Sequence, residues 1–206
     1  NIKMNMKKNT FEQATQQIES RTFYHGSATK IDGDFLETKE QFNSVQNKRV
    51  VGAFVTSDAD YAKFFALVKC ISGRGQCNLH GKKIFFERIS DSIKPEFNLY
   101  TVVENPGEKF IHDKGTEYYS PTPIKISKRQ TCNTVAEIEK LGYEIYVLNE
   151  PLKNKTSKQA GDNSRVQSEM HQAIADGAYH RVDIANLIRR QKSKSIFHKL
   201  FNWQKD

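Results

Sequence analysis

Val50-Val51-Gly52-Ala53-Phe54-Val55-Thr56, followed at once by Ser57-Asp58-Ala59-Asp60-Tyr61-Ala62, decides how the chain is read. The first seven residues are β-branched or apolar and have the length of a buried strand. Ser57 interrupts the run and stands where a helix cap is needed, with Asp60 at the reciprocal capping position. From Asp58 to about Lys69, the residues Tyr61, Phe64, Phe65 and Val68 fall along one face of the predicted helix.

Upstream, Thr10 and Gln13 have capping-box spacing and open a polar helix reaching about Ser20. Thr22-Phe23-Tyr24-His25 reads as a short strand ending at Gly26, and residues 28–47 read as a polar surface loop. Downstream, Ser72-Gly73-Arg74-Gly75 is a turn, and strands are expected at 84–88, 98–103, 116–120 and 124–127. Thr134 opens a short helix that Gly142 closes, and 144–148 is a further strand. Many short strands with few helices predict an α+β domain over residues 10–150, compact and with a mostly antiparallel, split β-sheet core. Beyond Pro151, residues 153–163 read as a linker. Val166, Met170, Ala173 and Ile174 recur at helical spacing, as do Ile184, Leu187 and Ile188. A Lys-Ser-Lys-Ser break at 192–195 precedes Ile196, Leu200 and Trp203. Residues 151–206 are thus expected to be a linker and a basic, helical C-terminal extension.

Composition narrows the function classes. With 206 residues, 37% of them hydrophobic, and with 13 Phe, 8 Tyr and 1 Trp, the chain can build a core, which excludes disorder over most of its length. No apolar run approaches the roughly 18 residues of a membrane-spanning helix. Residues 1–150 carry 21 Lys and Arg against 19 Asp and Glu, whereas residues 151–206 carry 11 against 5. The body is nearly neutral and the tail basic, which counts against a nucleic-acid enzyme. The tail reads either as an amphipathic helix packed on the body or as a docking element for an acidic protein or membrane surface. In the second case Arg189, Arg190, Lys192, Lys194 and Lys199 supply charge, and Phe197, Phe201 and Trp203 supply apolar anchors. Cys70, Cys77 and Cys132 lack metal spacing; Cys70 and Cys77 either close a short loop in an oxidising compartment or stay free thiols in a reducing one. The start at Asn1 rather than Met fits a leader or flanking segment that has been removed. The six His residues form no metal-ligand pattern, so no metal is expected, and phosphate-loop, Rossmann and nucleophile-elbow motifs are absent.

Three separated positions remain as candidates for chemistry: His25 before Gly26 at a strand end, Tyr61 in the first turn of a helix, and Glu117 within Gly115-Thr116-Glu117-Tyr118-Tyr119-Ser120. Each also has an ordinary structural reading. His25 also reads as a buried, hydrogen-bonded histidine, Tyr61 as helix-face core beside Phe64 and Phe65, and Glu117 as a solvated strand residue.

Phe23-Tyr24-His25-Gly26-Ser27 resembles the first-strand signature of ADP-ribosyltransferases of the histidine–tyrosine–glutamate class. That class includes diphtheria-type toxins, poly(ADP-ribose) polymerases and rifamycin ADP-ribosyltransferase. Residues 52–62 are similar to its strand, Ser-containing turn and tyrosine-bearing helix, and Thr116-Glu117-Tyr118-Tyr119 resembles the segment with its glutamate. The order and approximate spacing agree over residues 22–127. Gly115 stands two residues before Glu117, so the paired glutamates of arginine-specific toxins are absent.

The resemblance implies a split-sheet fold of that type and transfer of ADP-ribose from NAD to a macromolecular acceptor, most simply a protein, with release of nicotinamide. It implies that Glu117 stabilises positive charge on the ribose and orients the acceptor, that Tyr61 stacks on nicotinamide, and that His25 holds a ribose hydroxyl. Gly26 would bond the carboxamide through its backbone, and Tyr24, Ser27, Ser57 and Phe65 complete the NAD-contacting set. The expected setting is a bacterial toxin or effector, secreted or delivered into a target cell, with a cytoplasmic enzyme as the alternative. The rival readings are NAD hydrolysis, tRNA 2′-phosphotransfer and a binding module without turnover. The near-neutral body and the lack of a second well-placed His weigh against tRNA 2′-phosphotransfer.

Overall fold

A computed structural model of the chain describes residues 20–43, 48–73, 77–105, 107–149 and 163–202. In chain order the first half holds β1 (Arg21–Ser27), β2 (Phe35–Leu36), β3 (Lys39–Asn43), β4 (Lys48–Thr56), α1 (Ala59–Ser72), β5 (Asn78–His80), β6 (Lys83–Phe86) and β7 (Glu96–Glu104). The second half holds β8 (Ile111–His112), β9 (Glu117–Ser120), β10 (Ile124–Asn133), α2 (Thr134–Leu141), β11 (Glu144–Leu148), α3 (Asn163–Ala175), β12 (Tyr179–Arg181) and α4 (Ile184–Asn202). The expected helix at 10–19 and most of the expected linker lie outside the described residues.

Strand β7 shows how the layers stack. Phe97 and Leu99 enter one core while Tyr100 and Val102 enter the other, the two-residue period of a strand buried on both faces. It belongs to the larger sheet, whose order is β2-β10-β7-β1-β4-β9-β8 with β3 on β4, all antiparallel. The smaller sheet runs β12-β11-β6-β5, where only β11 and β6 are parallel. Between the sheets α1 buries Leu67, Val68 and Ile71 against Ile84, Phe86 and Phe97. The far face of the large sheet carries the second core, with Phe23, Val55, Tyr100 and Phe110. The molecule is therefore α+β with mostly antiparallel sheets, as expected.

Several boundaries differ from the sequence reading. The stretch 28–47 is not simply a loop: it supplies β2 and β3, and β3 pairs with β4 from Lys39 opposite Gly52 to Asn43 opposite Lys48. Backbone pairing suffices there, because an edge strand needs no apolar pattern. For the same reason β10 extends to Asn133, past a register shift between Ile126 and Lys128. The cap of α1 is Asp58 rather than Ser57; its carboxylate accepts from the amides of Asp60 and Tyr61 at 2.8 and 3.1 Å. Gly73, at φ 72°, closes the helix.

The packed body also continues past residue 150. Strand β12 pairs with β11, and Ile184 and Ile188 of α4 enter the inter-sheet core. Helix α4 runs through the expected break at 192–195 without interruption. Arg189, Arg190 and Lys192 are exposed on it, and Trp203 lies outside the described residues. Among the described residues no helix is long and apolar enough to cross a membrane. Cys70, Cys77 and Cys132 are free thiols, and burial pushes those of Cys70 and Cys77 up to about 11.

Candidate functional site

The site begins where two strands fork. Strand β1 pairs with β7 along all its residues from Arg21 to Ser27, but its register with β4 is a single pair, Tyr24 opposite Thr56. Next to that pair, His25 Nδ1 lies 2.8 Å from the carbonyl oxygen of Phe54 on β4. A carbonyl can only accept, so Nδ1 carries the proton and donates. Burial first, then Lys39 and Lys69, pull the imidazole down to about 4 against the upward effect of the Phe54 bond, so His25 is neutral at pH 7. Its Nε2 is then a free acceptor by chemistry.

Helix α1 is set on the fork by Gly26. A Cβ there would lie 1.8 Å from the carbonyl oxygen of Ala62, so only glycine lets the first turns of α1 rest on β1. The resemblance implies a backbone contact from this glycine to the carboxamide; the backbone it admits is that of the protein's own helix. On the other side, β9 pairs with β4 so that Glu117 stands opposite Thr56. Tyr24, Thr56 and Glu117 thus stand in a row on three adjacent strands, with Glu117 roughly 10 Å from Tyr24 at the usual strand spacing.

A cleft of about 110 Å³, open to solvent, occupies the fork. His25, Gly26, Phe65 and Glu117 line it, together with Tyr24. Tyr61 is tied in through Glu117: its Oη donates to Glu117 Oε1 at 2.8 Å. Burial, and then the bond and charge of Glu117, hold the phenol well above the ordinary tyrosine range, so it stays the donor. The Tyr61 ring meets Phe65 edge-on at 4.7 Å and lies nearly parallel to Phe64 at 6.3 Å. All three candidates therefore keep part of their ordinary structural role: His25 and Glu117 are hydrogen-bonded and Tyr61 packs on its helix neighbours.

Two expected contacts fall elsewhere. The Ser57 amide donates to the Thr116 carbonyl at 2.9 Å and its residue is exposed beside the cleft, where Thr56 is the lining hydroxyl instead. Ser27 Oγ accepts from the Thr29 amide at 3.2 Å and is not part of the wall. Sequence reasoning missed Thr56, Tyr118, Lys39 and Lys69, which all line the cleft. Lys39 sat in a stretch read as loop and Lys69 at a helix end, so neither had a visible signal. No group of three or more His, Cys, Asp or Glu that could hold a metal exists among the described residues. A wider groove between α2 and the start of α4 contains none of the candidate residues.

No family model, curated protein or solved structure matches the chain.

Proposed function

We propose that the chain is a mono-ADP-ribosyltransferase of the histidine–tyrosine–glutamate class. It transfers ADP-ribose from NAD to a protein acceptor and acts as a toxin or effector delivered to a target cell. The observation that carries this reading is the convergence of His25 and Glu117 on one cleft, with Tyr61 bonded to Glu117. Nothing in the general stability of an α+β domain requires those three side chains to meet.

The chemistry is a substitution at the ribose anomeric carbon. The bond to the nicotinamide nitrogen breaks and its electron pair neutralises the pyridinium, so positive charge builds on the ribose. Glu117 faces that charge, with Tyr61 fixing one of its oxygens. The acceptor's nucleophile forms the new bond and gives its proton to the carboxylate. Neutral His25, its Nδ1 committed to Phe54, accepts a hydrogen bond from a ribose hydroxyl at Nε2 and sets the sugar's orientation. Phe65, 38% exposed at the cleft, supplies an apolar surface for a planar ring.

Nicotinamide release from NAD in the presence of a cell lysate tests the reading. The wild type is expected to release nicotinamide and label a protein, and Glu117→Gln to slow release by about 10²–10⁴-fold. Release by the variant at the wild-type rate refutes the assignment. Free ADP-ribose as the only product replaces transfer by hydrolysis.

A further inference from the structure

The cleft carries more positive charge than the three candidate residues need. Lys39 reaches it from β3, and Lys69 from the last turn of α1. Glu117 is the one carboxylate among the described lining residues, and it is engaged by Tyr61. Elsewhere Lys63 pairs with Asp60 and Glu137, Arg21 with Glu104, and Arg49 with Glu40. No described carboxylate pairs with Lys39 or Lys69.

Two unpaired ammonium groups sharing one cleft repel each other, and a multivalent anion between them converts that cost into attraction. The repulsion is felt locally. Although Lys39 is exposed as a residue, its ammonium is held below the ordinary lysine range by desolvation and then by Lys69. Both lysines also lower His25, so their field reaches the imidazole. The field belongs to this cleft and not to the body, since residues 1–150 are nearly neutral.

We propose that Lys39 and Lys69 form a two-armed clamp for the diphosphate of a dinucleotide, so that the cleft selects phosphate-bearing ligands. The identity of the ligand rests on the transferase reading; the anion preference does not. Lysine suits the task, being a point charge on a flexible stem that can follow two phosphates without demanding one geometry. A diphosphate held by these two side chains leaves His25 and Glu117, which line the same cleft, to the rest of the ligand.

Titration calorimetry with inorganic pyrophosphate tests the clamp directly. Wild-type protein is expected to bind it, and Lys39→Gln and Lys69→Gln each to weaken binding by about tenfold or more, one charge-assisted contact apiece. The same substitution at Lys128, which is exposed and not part of the cleft wall, is expected to change binding by less than about twofold. The His25 ring resonances are expected to move on addition of pyrophosphate. Absence of binding by the wild type, or binding by the two lysine variants as tight as that of wild type, overturns the proposal. Equal affinity for inorganic phosphate and pyrophosphate also overturns it, because one phosphate then satisfies the site. Pyrophosphate bound through the lysines with no nicotinamide released from NAD keeps the clamp and removes the transferase reading. NAD cleaved at unchanged KM by both lysine variants removes the clamp and keeps the reading.

Discussion

Tyr61 Oη donates a 2.8 Å hydrogen bond to Glu117 Oε1 across 56 residues of sequence, joining the first turn of α1 to the first residue of β9. The bond exists because two independent local events meet. Asp58 starts the helix at a point that puts Tyr61 in its opening turn, and the β4–β9 register puts Glu117 opposite Thr56 at the strand end. A phenol held protonated by burial and by that carboxylate is a fixed donor, so the carboxylate is held ready before any ligand arrives.

This pairing separates two roles of Tyr61. Tyr61→Phe keeps the ring against Phe65 and removes the donor, and is expected to lower kcat/KM for NAD by about tenfold, a hydrogen bond to a charged group at the low end of its range. Tyr61→Ala removes the ring as well and is expected to lose on the order of a further tenfold. Steady-state kinetics of the two variants decide. Equal losses assign everything to the hydroxyl and remove the stacking role.

Gly26 is expected to be the least replaceable residue of the signature, for a reason of packing. In Gly26→Ala the new Cβ meets the Ala62 carbonyl oxygen at 1.8 Å and its carbon at 2.7 Å, which is backbone and cannot swing away. Overpacking of this kind is expected to cost about 3 kcal/mol or more, read as a lowered urea midpoint. Gly33→Ala, with nothing within 4 Å, is the control and is expected to leave the midpoint nearly unchanged. Equal behaviour of the two variants means that α1 does not rest on β1 as described.

Much of this was legible in the sequence where side chains do the specifying. The apolar run before Thr56 gave β4, the Phe64 and Val68 face gave α1, and Gly142, at φ 69°, ended α2 as its position suggested. His25 and Glu117 were found because their neighbours form recognisable short motifs. What stayed hidden depends on backbone pairing. Strand β3, with Lys39, Glu40 and Gln41, is a strand because β4 offers it a ladder, not because its side chains alternate. The second half of β10 is similar, with polar residues held along β7. Both lysines of the cleft were missed on that account: a polar residue acquires its role from the partner strand or helix end that aims it. The body likewise extends into the region read as a tail, because β12 has only three residues and no periodicity to reveal it.

The position of the α1 cap gives a local test of the strand-to-helix turn. Asp58→Ala removes the acceptor for two first-turn amides and is expected to cost about 1 kcal/mol. Ser57→Ala removes a side chain that takes no part in the cap and is expected to lie within about 0.5 kcal/mol of wild type. Thermal or urea unfolding of the pair measures the difference. A larger loss at Ser57 restores the capping-box reading and moves the helix start by one residue, and Tyr61 with it.

His25 should make stability depend on pH with a definite sign. Its folded value of about 4 lies below the ordinary 6.5, so the folded state refuses a proton that the unfolded chain accepts. Above 6.5 neither state is protonated and the imidazole adds no pH dependence. As the pH falls from 6.5 towards 4 the unfolded state is favoured progressively, and below 4 the effect levels off. The gap between the two values corresponds to about 3 kcal/mol at most. Carboxylates titrate in part of the same range, so the comparison is between wild type and His25→Gln, in which they are shared. The variant is expected to lose less stability than wild type between pH 7 and pH 4.5, measured by urea midpoints at each pH. Parallel losses mean that the imidazole takes up its proton as readily inside the folded cleft as in the unfolded chain, and that burial does not hold it neutral as described.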